Sequence, residues 1–177
     1  MTVTSAELTV LGLVVEHPRH GYDLEQVIEQ RGIRQWTDIG FSSIYYVLTK
    51  LEKRGLVEAA KAPEGRSGPT ARRVFQATAA GRQIAAAAVA SFLADPHPVS
   101  HPILVGLANL PLVSEQAYTE ALHSRLRRLD TRIAAVREAE RAQAPLPRPA
   151  REVFSYSLRL LEAERSWLAE RVPVSDA

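Results

Sequence analysis

The hydrophobic period of this chain changes at Gly55, and that change constrains the fold more than any other feature. From residue 5 to residue 55 apolar residues recur at helical spacing in three successive segments. Directly after Gly55 the pattern becomes strand-like. Leu56-Val57-Glu58-Ala59 reads as a short strand and Arg73-Val74-Phe75-Gln76-Ala77 as its partner. Between them lies Pro63-Glu64-Gly65-Arg66-Ser67-Gly68-Pro69, a run of turn residues. Three helices followed by a hairpin with a long tip is the order of a winged helix-turn-helix. The expected fold is therefore mainly α, with three helices and a two-stranded wing followed by a C-terminal α-helical dimerisation domain.

The three helical segments have readable ends. Ser5 is the expected cap of the first, which carries Leu8, Val10, Leu11, Leu13, Val14 and Val15 and is apolar nearly all round. His17-Pro18 ends it. Gly21 precedes a second pattern, Tyr22, Leu24, Val27 and Ile28, which stops near Gly32. Ser42 opens the third, with Ile44, Val47, Leu48 and Leu51 on one face and Gly55 as the C-terminal cap residue. Thr78 caps a fourth helix that runs to about Ala94.

A proline- and histidine-rich segment then interrupts the helical pattern, from Asp95 to Pro102. It divides the chain into an expected DNA-binding domain (1–94), a linker (95–102) and a helical domain (103–177). In the last part, Ser114 caps a long helix to about Gln143, and three prolines (145, 147 and 149) form a rigid turn before a final helix. Leu122, Leu126, Leu129, Ile133 and Val136 form one apolar seam, at steps of four and three. Phe154, Leu158, Leu161 and Leu168 lie on a second seam, which Arg165 interrupts. Two such seams predict helix–helix association across a homodimer, beyond what an intramolecular hairpin would bury.

Charge is informative only locally. The net charge is +2, and residues 1–96 and 97–177 each hold 11 basic and 10 acidic side chains. Within 50–73, however, Lys50, Lys53, Arg54, Lys61, Arg66, Arg72 and Arg73 outnumber Glu52, Glu58 and Glu64. That excess falls on the third helix and the hairpin, the two elements that a winged helix presents to DNA. The expected contacts to double-stranded DNA are Ser42, Ser43, Tyr45, Tyr46, Thr49, Lys50 and Lys53 on the helix. On the hairpin they are Lys61, Arg66 and Arg72. Strand alternation sends Arg72 and Arg73 to opposite sides, so one of the two is expected to make contact.

Three segments together resemble the PadR family of transcriptional regulators. They are Leu8-Thr9-Val10-Leu11-Gly12-Leu13, His20-Gly21-Tyr22-Asp23-Leu24 and the run from Ser43 to Val57. Arg72 to Arg82 resembles the family's second wing strand and the start of its fourth helix. Residues 103–171 resemble, more loosely, the helical domain of its longer members. Two positions depart from the family pattern: Tyr46 stands where many members have proline, and Ala77 where leucine is usual. The resemblance implies a dimeric winged-helix protein, most often a repressor, paired through its C-terminal helices. It also implies control, in some members, by a small aromatic or hydrophobic ligand. Trp36 and Trp167 are the candidate ligand contacts, although aromatics so placed are more often core residues.

Other functions find little support. The chain has no cysteine, which excludes disulfides and thiolate metal sites. His97 and His101 have a helical metal-pair spacing but sit among prolines that forbid a helix, so neither a metal nor a cofactor is expected. There is no catalytic constellation, so an enzyme is not expected. The start shows no secretory signal and no apolar stretch is long enough to span a bilayer, so the expected location is the cytoplasm, away from membranes. The competing reading is a protein-interaction adaptor that keeps a winged helix as scaffold without binding DNA.

Overall fold

The computed structural model describes residues 2–37, 39–40, 43–60, 73–96 and 101–172. The chain forms two compact units, Met1–Pro98 and Val99–Ala177. The first unit contains α1 (Ser5–Glu16), β1 (Arg19–His20), α2 (Gly21–Gln30), a 3-10 turn (Ile33–Gln35), α3 (Ser43–Lys53), β2 (Val57–Ala59), β3 (Val74–Ala77) and α4 (Ala79–Ala94). The second contains α5 (Pro102–Ala108), a 3-10 turn (Leu110–Leu112), α6 (Glu115–Ala142) and α7 (Arg148–Ala169).

The first unit is a winged helix, as expected, with three differences of detail. The cap of α1 is Thr4 rather than Ser5. Thr4 Oγ1 accepts from Glu7 N (3.2 Å), and Glu7 Oε2 accepts from Thr4 N (2.9 Å). This reciprocal capping box satisfies two N-terminal donors, which Ser5 with Leu8 three residues on could not do. The second difference is the sheet, which has three strands in the order β1-β3-β2. Arg19 and His20 pair with Phe75 and Val74, so β3 is central and the wing's base is held on both sides. Third, the wing strands are shorter by one residue at their starts. Val57 pairs with Ala77, and Ala59 with Phe75.

The core lies where the apolar faces of α1, α2 and α3 converge. Leu11, Leu24, Ile28, Ile44, Leu48 and Leu51 are fully buried there. Each contributes about 1.5–3 kcal/mol relative to exposure. α3 ends in a Schellman motif. Gly55 adopts φ +69°, Gly55 N donates to Glu52 O (2.8 Å) and Leu56 N to Leu51 O (2.9 Å). The carbonyls at the end of α1 are closed from outside, Leu13 O by Arg19 Nε (3.4 Å) and Val15 O by Arg82 Nη1 (3.3 Å).

In the second unit α6 and α7 pack on one another as a helical hairpin. Leu122, Leu129 and Leu168 form its buried centre, with Tyr118, Leu126, Leu161 and Trp167 packed around them. Arg125–Glu164, Arg137–Glu162 and Arg165–Asp130 ion pairs bridge the two helices.

Candidate nucleic-acid interface

The period of α3 decides which side chains it offers. Ile44, Val47, Leu48 and Leu51 take one face into the core. At about 100° per residue the opposite face holds Tyr46, Thr49 and Lys53. All three are exposed, Tyr46 at 69%. Ser43 precedes them in the first turn, its hydroxyl donating to Gly40 O (2.6 Å). Thr49 Oγ1 donates to Tyr45 O (2.9 Å), so its lone pairs face outward as acceptors. Among the described residues Lys53 makes no ion pair. A backbone phosphate suits it as a partner.

Tyr45 lies on the flank of α3 nearest α2. It is both exposed and packed. Its ring edge covers Gly21, where an added Cβ would meet Tyr45 Cε1 at 2.5 Å. His20, Gly21, Tyr22, Tyr45, Leu48, Thr49, Arg73 and Phe75 line an open cleft of about 390 Å³ beside this contact. Glycine in the His20-Gly21-Tyr22 segment therefore leaves room for the Tyr45 ring, which a larger residue would displace.

On the other flank, Lys50 is engaged by the protein. Its Nζ lies 2.7 Å from Oε1 of Glu7, a carboxylate on α1 that is only 3% exposed. Arg54, one turn on, places Nη1 3.1 Å from the other oxygen of Glu7 and donates from Nη2 to Thr2 O (2.9 Å). Burial alone would push the Glu7 carboxyl up. The Lys50 ammonium beside Oε1, the hydrogen bond from the Thr4 N–H and the charge of Arg54 outweigh it and hold the group below its usual range. A neutral truncation at Lys50 thus removes one of two cationic partners of a buried charge and leaves Arg54 in place. Glu7 was not expected from sequence as part of this surface, and Arg54 was counted in its basic excess but not among its contacts. The signal available was Thr4-x-x-Glu7, a capping-box spacing just ahead of an apolar run.

On the wing, Arg73 pairs with Glu52 of α3 (2.5 Å) and stands over the Phe75 ring at 5.2 Å. This ties the wing strand to the end of α3. The other expected contacts, Ser42, Lys61, Arg66 and Arg72, lie outside the described residues.

The expected dimer seams divide. Leu122, Leu129, Ile133, Val136 and Leu168 are buried within the single chain, whereas Leu126, Phe154, Leu158 and Leu161 are half-buried. Tyr156 and Leu160, on the outer side of α7, are exposed. Trp36 is half-exposed after the 3-10 turn, and Trp167 packs in the hairpin with Arg171 over its ring at 3.9 Å. Among the described residues no group of three or more His, Cys, Asp or Glu could hold a metal ion. Nor, among them, is any helix long and apolar enough to cross a membrane.

Comparison with known proteins agrees with this architecture. Residues 10–87 match the transcriptional regulator PadR-like family. The fold is shared with Bacillus subtilis PadR solved in complex with operator DNA. That match has a TM-score of 0.74 at 17% identity and covers 97% of this chain and 100% of that one. The same PadR in complex with p-coumaric acid gives 0.74 at 18%, covering 93% and 94%. The Vibrio cholerae virulence activator AphA gives 0.69 at 22%, covering 94% and 95%. No curated protein sequence matches the chain. The winged helix of residues 10–87 therefore belongs to the PadR-like family, a family of transcriptional regulators and not of enzymes.

Proposed function

We propose that this regulator binds double-stranded DNA as a homodimer, with one α3 in the major groove of each half of an inverted repeat, and that it represses transcription. The observation that carries the reading is the outward face of α3. Tyr46, Thr49 and Lys53 stand exposed on a helix whose opposite face is locked into the core. A helix so anchored fits the major groove and presents its side chains at fixed spacing. In this reading residues 1–94 form the reading head, 95–102 the linker, and 103–177 the pairing domain. Lys61, Arg66 and Arg72 of the wing supply backbone contacts.

The test is a fluorescence anisotropy titration on duplexes selected from a random pool. Lys53→Ala should weaken binding to all sequences alike and flatten the salt dependence by about one unit of log–log slope. Tyr46→Ala should cost about tenfold, about 1.4 kcal/mol. Unchanged affinity in both, singly and together, would remove α3 from the interface. No wild-type binding at low salt to any duplex would favour the adaptor instead.

Gly21→Ala probes the same face from behind. The new methyl displaces the Tyr45 ring, which is half-exposed and free to swing, so stability should fall by only about 1 kcal/mol. DNA affinity should fall further than stability does, because Tyr45 flanks the reading face. A variant that melts early yet binds normally would place Tyr45 outside the interface.

For the dimer, the α6 seam is already used inside the chain. The pairing surface of this reading is the outer side of α7, where Tyr156 and Leu160 are exposed; Phe154 and Leu158 lie on the opposite side, with Leu161. Leu160→Glu should give a monomer on sedimentation and leave only half-site affinity. A variant that still sediments as a dimer would move the interface elsewhere. The complex of Bacillus subtilis PadR with p-coumaric acid supports a small aromatic acid as the effector class. Release of bound DNA on adding p-coumaric acid or a related phenolic acid would bear this out.

A further inference from the structure

We propose that Glu7 holds Lys50 back from DNA, so that a buried carboxylate on α1 competes with phosphate for a cation of the reading helix and sets how strongly salt weakens binding. The inference rests on the DNA-binding reading of α3.

The geometry supplies three arguments. First, the Glu7 carboxylate faces two cations and a backbone N–H. Arg54 and the Thr4 N–H share Oε2, and Lys50 alone faces Oε1 at 2.7 Å. Arg54 is the more deeply held cation, with a side chain 16% exposed and a second bond to Thr2 O, so Glu7 keeps one cationic partner when Lys50 leaves. Second, Lys50 is the more exposed of the two cations. Its side chain is 45% exposed, and a flexible four-carbon stem lets its ammonium reach either the carboxylate or the solvent side. Third, its place on α3 makes that choice matter. Lys50 lies one turn before Arg54 and next to Thr49, at the border between the face that meets α1 and the face that carries Tyr46 and Lys53. A cation there reaches a phosphate only by leaving Glu7.

A lysine engaged inside the protein releases no counterion on binding, whereas one placed on a phosphate adds about 0.9 to the log–log salt slope on duplex DNA. Glu7→Gln tests the difference with little change of shape. The amide oxygen still accepts from Thr4 and Arg54, while the amide nitrogen facing Lys50 no longer attracts it. The Glu7→Gln protein should bind more tightly at low salt, with a slope steeper by about 0.9, or about 3.5-fold more affinity lost between 50 and 200 mM salt. Lys50→Ala in the wild-type background should leave the slope unchanged, and the double variant should return it to the wild-type value. A purely structural role for Glu7 would lower the melting temperature of Glu7→Gln without steepening the slope.

The measurement is anisotropy against salt for wild type, Lys50→Ala, Glu7→Gln and the double variant. Lys53→Ala serves as the untethered reference, and circular dichroism checks folding at the assay temperature. Should Glu7→Gln not fold, Lys50→Ala still decides. A slope that falls by about 0.9 means Lys50 already rests on phosphate and overturns the proposal; an unchanged slope supports it. Wild-type protein that binds no DNA overturns the reading of α3 and this inference together. Wild-type binding with a Lys50-dependent slope overturns this inference alone.

Discussion

Gly81→Ala should unfold the N-terminal unit at temperatures where the wild type is intact. A Cβ at Gly81 would lie 2.0 Å from the Leu56 carbonyl oxygen and 2.9 Å from its carbon. Both are backbone atoms, so no rotamer change relieves the clash. The carbonyl is also held: it accepts from Thr78 N (3.1 Å). Thr78 in turn donates to Gly55 O (2.7 Å) and caps α4 through Gly81 N (3.0 Å). Making room for one methyl group means lifting α4 off the strand start after Gly55. The expected cost is about 3 kcal/mol or more, at the upper end of overpacking penalties. A chemical denaturation curve checks it. A midpoint within experimental error of the wild type would show that α4 docks less tightly than this geometry requires.

The second large effect is expected at Glu7→Ala. It deletes half of a capping box and strips Arg54 of its carboxylate, leaving it only the Thr2 carbonyl. Breaking a buried pair by removing one member costs about 3–5 kcal/mol. Lys50 keeps access to water, which places the expected loss near the lower end of that range. The pH dependence has a definite sign. The folded-state pKa of Glu7 is depressed, so its contribution is complete at pH above the usual glutamate value of 4.5. It is lost as pH falls through the depressed folded value. Wild-type stability should therefore drop on acidification through that window, and the Glu7→Ala protein should lose part of that dependence. Equal acid sensitivity in the two proteins would show that Glu7 is not a carboxylate that acid unfolding must protonate.

Much of the architecture is legible in the sequence because it rests on short-range periodicity. Ile44, Val47, Leu48 and Leu51 declare α3, and Gly55 declares its end through a conformation that glycine adopts most readily. Thr78 and the alanine-rich run after it declare α4. The features that escaped depend on partners far along the chain. Arg19-His20 is a strand only because Phe75 and Val74 pair with it; two polar residues carry no alternation to read. Glu7 is a charge on an apolar helix, and its partners Lys50 and Arg54 arrive only from α3. The α6 seam shows the limit differently. Its spacing correctly marks a face to be covered, but spacing does not say whether α7 of the same chain or a second copy covers it.

The three-stranded sheet bears on how this domain tolerates changes in chain length. His20 closes β1 and Gly21 opens α2, with no residue between them. One inserted residue at that joint would have to be absorbed by rotating α2 by about 100° or by slipping β1 along β3. The first would carry Leu24 and Ile28 out of the core. The second would exchange the faces of Arg19 and His20. The joint is thus a fixed length in the head, and lineages that lengthen or shorten this protein should do so elsewhere.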